Sequence, residues 1–236
     1  MDPSEFLENV VRPNLVRLED SIIFDLFERA RFKTNNIIYT PGEIKVPGNI
    51  SFMDYLLKGT ERLHATAGRY EHPEEHPFFP DDLPPAIIQR DIERLPFPLA
   101  KNNINANPTI RVMHLNAIKR ICEDGDDKHY GSTALQDISL LQDLSRRIHY
   151  GLIVAETKFQ QDPEEYSELI EEKNIDGITS KLKNQKVEDQ ILERVRKKGE
   201  KFGVNSQFIK EFYQDEIIPL TIAIEIEYFL IRNQSV

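Results

Sequence analysis

Apolar residues in the first part of the chain fall three and four positions apart. Phe6, Val10, Leu15, Leu18, Ile22, Leu26 and Phe27 form one stripe between Ser4 and Phe32, the period of an amphipathic helix. Pro13 interrupts it. A proline removes an N–H and clashes one turn back, so a kink or a new helix start is expected there. Residues 35–48 read as a glycine and proline loop, and 51–70 as a second helix carrying Phe52, Tyr55, Leu56 and Leu63. Two connectors rich in proline, 72–85 and 95–108, predict little regular structure. A helix is expected over 109–122 and an acidic turn over 123–131.

The strongest periodic signal runs from Thr133 to Gln160, where Ile138, Leu141, Leu144, Ile148, Leu152, Ala155 and Phe159 keep a helical step. This predicts a long central helix. Shorter helices are expected over 163–173 and 175–182, then a strong one over 185–202 closed by Gly203. The last, 206–232, contains Pro219 and is expected to bend. Turn residues gather between Asn35 and Asn107 instead of recurring at strand-like intervals, which favours helices.

With 236 residues the chain buries a sizeable core without metal or disulfide. Its net charge of −10 and pI near 5.2 argue against nucleic acid or an anionic membrane surface as partner. No run approaches the roughly 20 apolar residues of a membrane span. The acidic start lacks the features of a secretory or transit leader, and the single cysteine, Cys122, fits a reducing compartment and is expected to pack. Cytoplasm is the expectation.

Candidate chemistry gathers on three helices. Arg147, Gly151, Val154 and Lys158 share one face of the central helix, the two cations about 16 Å apart along the axis and within reach of one small anion. By itself this face reads first as a solvated basic stripe pairing with nearby acids. Asn184 and Glu188 lie one turn apart, as do Thr221 and Glu225. Taken by itself, the first pair is better explained by ordinary helix capping than by function. Glu225 and Glu227 are exceptions in an otherwise apolar segment, and a buried carboxylate needs a partner or a proton. Other sites fail. The loop DGDDK (124–128) has Lys128 and Leu135 where a calcium loop needs ligands, His72 and His76 sit among prolines, and Cys122 has no evident base. Arg194 to Lys201 reads as a solvated helix end.

The segments RPNLVRLEDSIIFDLFERARF (12–32), HPFFPD (76–81), DGDDKHYGS (124–132), SRRIHYGLIVAETKFQ (145–160), NQKVEDQILERV (184–195) and IIPLTIAIEIEYFLIR (217–232) resemble, in order, the eukaryotic chorismate mutases. The resemblance implies a single all-α, multi-helix bundle over 1–236. It implies conversion of chorismate to prephenate by an intramolecular pericyclic rearrangement, with no metal, nucleophile or redox cofactor. Arg12 and Arg147 would bind the two carboxylates, Glu188 and the Asn184 region the ring hydroxyl, and Lys158 and Glu225 the ether oxygen, with Thr221 completing the set. A protonated Glu225 is implied, with activity falling as pH rises.

The family is typically a homodimer controlled by tyrosine and tryptophan. The matching effector positions are Arg69, Gly131 and Ser132, with Gly68 for a second arginine, His129 for an asparagine and Leu135 for a threonine. Weak, altered or absent control is therefore expected. Pro13, directly after Arg12, departs from the family pattern and bears on that arginine's orientation. A lyase releasing pyruvate from isochorismate and an inactive helical interaction protein are the competing readings; the complete catalytic set favours the mutase.

Overall fold

The computed structural model describes residues 1–88 and 94–232, and among these the regular structure is helical, without strands. The central helix, Tyr130–Gln161, begins three residues before the apolar period predicts. Nearly every residue from Leu144 to Thr157 is buried, so it is an internal rod packed on all sides and not a surface helix. In chain order the α-helices are α1 (Pro3–Phe6), α2 (Arg12–Arg29), α3 (Phe52–Thr66), α4 (Asn107–Ile121), the rod α5, α6 (Pro163–Glu171), α7 (Ile175–Leu182), α8 (Gln185–Phe202), α9 (Ser206–Phe212) and α10 (Ile218–Arg232).

The rod's main neighbours are α2 and α10. Ile22, Ile23 and Leu26 of α2 and Ile224, Tyr228 and Phe229 of α10 share one core with Ile138, Leu141, Leu144 and Ile148 of α5. Burying each such side chain contributes roughly 1.5–3 kcal/mol. A smaller core, formed by Phe6, Leu7, Val11 and Leu18 against Tyr150, Ile153 and Val154, holds the amino-terminal segment onto the second half of α5.

Helix boundaries follow local chemistry. Ser51 Oγ accepts from the Asp54 N–H at 3.0 Å to start α3. That helix stops at Thr66, short of the expected Tyr70, and Gly68 carries the turn at φ +72°. Both ends of α8 match expectation: Asn184 caps its start and Gly203, at φ +75°, its end.

Neither internal proline breaks its helix. A π-helical turn, Leu7–Val11, joins α1 to α2, and another, Tyr213–Ile217, joins α9 to α10. Each ends two residues before its proline, Pro13 or Pro219. The Arg12 and Ile218 N–H groups donate to carbonyls five residues back, Leu7 and Tyr213. The wider turn lets a helix tolerate a residue without an N–H. The expected break at Pro13 is thus a change of helical pitch.

Two polar clusters fix the rod. Arg29, fully buried, donates through Nε to Asp137 Oδ1 at 2.7 Å, and through its other nitrogens to the Lys33 and Thr34 carbonyls, Tyr39 and Cys122. Asp137 also contacts Tyr39 OH at 2.5 Å and His114 Nε2 at 3.1 Å. Cys122 packs as expected, and burial pushes its thiol up to about 11. Farther along, His76 of the proline-rich connector stacks on His149, ring centroids 3.8 Å apart. Burial lowers both imidazole pKa values, that of His149 to about 3. Asp124 and Asp127 bond the 33–35 loop: Thr34 Oγ1 donates to Asp124 at 3.0 Å, and the Lys33 N–H to Asp127 at 2.9 Å.

Candidate active site

A cavity of about 740 Å³ opens between the amino-terminal segment, the second half of α5, the α6–α7 hairpin, α8 and α10. All seven residues singled out for catalysis or binding, Arg12, Arg147, Lys158, Asn184, Glu188, Thr221 and Glu225, line it. Helical phase explains why. Arg147, Val154 and Lys158 project from one face of α5 into the cavity. Gly151, on the same face, lets α10 come close: a Cβ there would lie 3.2 Å from both Thr221 Cγ2 and the Thr221 carbonyl oxygen. That approach brings Glu225 to Lys158, whose Nζ donates to Glu225 Oε2 at 3.1 Å and to the Leu182 carbonyl at 3.2 Å.

Arg147 is 4% exposed, and among the described residues its one hydrogen bond is a long one, Nη1 to Thr221 Oγ1 at 3.5 Å. Its Nε is buried without a partner. The other half-buried cations of the cavity hold carboxylates. Arg12 pairs with Glu8, Lys158 with Glu225, Lys181 with Asp162 and Glu165, and Arg194 with Glu19. A buried guanidinium without a counter-charge is costly unless an anion arrives to meet it.

Thr221 spends its hydroxyl proton on the Ile217 carbonyl at 2.7 Å, leaving an acceptor toward Arg147. Asn184 both caps α8, accepting from the Val187 N–H at 3.2 Å, and lines the cavity. Arg12 reaches the cavity despite Pro13, since the π turn keeps its backbone helical at φ −59°. Glu225 is buried as expected, but Glu227, two residues on and about 200° round the helix, is exposed on the solvent side.

The effector candidates do not meet within this chain. Arg69 is engaged by Glu75 at 2.9 Å, Gln142 at 2.8 Å and His64 at 2.9 Å. Gly131 and Ser132 are exposed in the first turn of α5. Gln142 stands ten residues from Ser132, about 15 Å along the helix. Leu135 is 63% exposed and His129 faces solvent.

Sequence reading missed Glu19 and misplaced Arg194 on a solvated end. Glu19 is fully buried, and Arg194 donates to both its oxygens at 2.6 and 2.8 Å, with Lys198 adding a contact at 3.2 Å. That hydrogen bonding raises the Arg194 pKa. The signal was present, since Glu19 lies one turn from both Leu15 and Ile22 on the apolar stripe of α2. Tyr166 and Lys181 also line the cavity, burial and the nearby Glu225 charge pushing the phenol up.

One buried and several half-buried cations thus line a small, partly apolar hollow in a helical bundle. Residues 129–226 match the family model described as chorismate mutase type II. A chorismate mutase from Emericella nidulans is 39% identical over 94% of this chain and 91% of its own length, and that of Saccharomyces cerevisiae 38% identical over 97% and 96%. The crystal structure of a Candida albicans chorismate mutase in complex with L-Trp superposes with a TM-score of 0.89 at 36% identity, covering 100% of this chain and 95% of that one. The chain belongs to the eukaryotic chorismate mutase family and is an isomerase of aromatic amino acid biosynthesis. Among the described residues no helix is long and apolar enough to cross a membrane.

Proposed function

We propose that the cavity binds chorismate with Arg147 as the inner carboxylate receptor and Arg12 as the outer one. The unpaired, buried Arg147 guanidinium carries this reading. Its planar fork suits a carboxylate in two-point contact, and a substrate carboxylate supplies the missing charge. Asn184 and Glu188 take the ring hydroxyl, and Thr221 steadies Arg147.

The reaction breaks one carbon–oxygen bond and forms one carbon–carbon bond within the same molecule, so nothing leaves and nothing is oxidised. The protein holds the side chain over the ring and stabilises charge growing on the ether oxygen. Lys158 and Glu225, already 3.1 Å apart, are the two donors at that oxygen. Without substrate, Glu225 Oε2 accepts from the Lys158 ammonium; beside the ether oxygen it acts as the protonated acid, because a carboxylate would repel the developing charge.

The whole chain, 1–236, acts as one mutase domain, as a homodimer in the cytoplasm. Control by tyrosine or tryptophan is weak, altered or absent, since Arg69 is held by Glu75, Gln142 and His64. A titration of the initial rate with each amino acid checks this. The central experiment follows chorismate loss and prephenate formation. Arg147→Ala should lower kcat/KM by about a thousandfold or more, and retained activity would overturn the assignment. In the same assay, Glu225→Gln should flatten a profile that otherwise falls with rising pH; an unchanged profile removes the protonated Glu225.

A further inference from the structure

Another cation, Lys181, stands at the cavity wall without belonging to the set just described. The chain around it is short and crowded. Asp162 alone separates α5 from α6, Lys183 alone separates α7 from the Asn184 cap of α8, and residues 181–184 all line the cavity. Within that stretch the Leu182 carbonyl accepts from Lys158 Nζ at 3.2 Å and Asn184 starts α8. The position of this segment therefore sets two cavity groups at once.

Little else can hold it. The helix before it, α7, has eight residues, too short to be stable by itself. It packs closely on α6: a Cβ on Gly177 would lie 2.6 Å from Leu169 Cδ2. Ile178 and Leu182 are buried. These contacts fix α7 to its neighbours by apolar burial, which is non-directional. Beside the Lys158 bond to the Leu182 carbonyl, the directional tie is Lys181. Its Nζ donates to Asp162 Oδ2 at 2.6 Å and to Glu165, and lies 5.0 Å from the Tyr166 ring centroid. Asp162 sits one turn beyond Lys158 on the line of α5, so the bond runs from the end of the catalytic rod to the end of α7. Burial pulls the ammonium toward neutrality, but the two carboxylates outweigh it and raise its pKa, while the same bond lowers that of Asp162.

We infer that Lys181 is a positioning residue: its clasp on Asp162 and Glu165 pins the 181–184 segment so that the Leu182 carbonyl aims the Lys158 ammonium and Asn184 faces the substrate. This rests on the assignment of Lys158 and Asn184 to the site. In this reading Lys181 acts through other groups, its ammonium being spent on Asp162 and Glu165.

The test is steady-state kinetics on the full-length enzyme. Lys181→Met should lower kcat about tenfold, the order of loss that a sub-ångström misplacement produces, with KM changed less than about twofold. Lys181→Arg, which can still bridge two carboxylates, should restore most of kcat. The double variant Asp162→Asn, Glu165→Gln should lose a similar factor, and adding Lys181→Met to it should cost nothing further. An unaltered kcat in Lys181→Met, additive losses, or a raised KM with normal kcat would each overturn the proposal; the last would make Lys181 a substrate ligand. Lys158→Met separates the two levels. A full kcat there overturns both the site assignment and the clasp, whereas a lost kcat in Lys158→Met beside a normal one in Lys181→Met overturns the clasp alone.

Discussion

Two arginines are buried against the same central helix, and they live in opposite conditions. Arg29 is fully buried and its guanidinium is spent on Asp137, Tyr39, Cys122 and backbone carbonyls. Arg147, about as buried, has one long hydroxyl contact and an orphaned Nε. Burial by itself says nothing about role. An arginine whose donors all find partners inside the chain is a strut, while one left short of partners is a receptor, and the protein tolerates its strain because a ligand relieves it.

The contrast breaks most visibly at the strut. Asp137→Ala strands the Arg29 charge in the core and should lower unfolding free energy by about 3–5 kcal/mol, measured by urea denaturation. A loss below 1 kcal/mol would mean that the remaining contacts suffice.

A carboxylate pair stands between the two regions. Asp25 lies one turn before Arg29 and Asp143 one turn before Arg147, and Ser139 Oγ donates to Asp25 Oδ2 at 3.0 Å. Burial, then the Asp143 charge, raises the Asp25 pKa from 3.8 to about 7. The folded state then holds a proton that the unfolded state has released, so stability falls as pH rises from about 4 to 7. Asp25→Asn should flatten that slope and raise stability at pH 7 by roughly 2–4 kcal/mol. Thermal melts across the window check it, and an equal slope in both proteins refutes it.

The smallest expected effect is at the receptor. Arg147→Met removes an unsatisfied charge while keeping bulk, so stability should stay within about 1 kcal/mol of the parent or rise. A large loss in the same denaturation assay would show that Arg147 is a strut after all.

Much of this was legible beforehand. Period and caps placed α8 to the residue, because Asn184 and Gly203 act locally. Helical phase separated six of the seven site residues, Arg12 came by resemblance alone, and the fold brings all seven to one cavity. What escaped depends on contacts distant in the chain. Glu19 and Arg194 meet across 175 residues, and no local pattern announces that pair, although a carboxylate on the apolar stripe of α2 hinted at half of it. The Asp162–Lys181 clasp is invisible to periodicity for the same reason. Pro13 misled because the propensity rule assumes an α-helical turn, and the chain used a wider one.

Those wider turns are slack let into the chain. A π turn holds one residue more than the α turn it replaces yet completes about the same revolution, so the helix resumes its phase beyond it. Deleting a single residue between Leu7 and Val11, or between Tyr213 and Ile217, would close the turn to an α turn and leave Arg12 at one end, and Thr221 and Glu225 at the other, facing the same cavity. What the deletion takes away is the room that Pro13 and Pro219 occupy, since a proline in a tight turn clashes with the carbonyl behind it. The spare residue is an expansion joint, not a register mark.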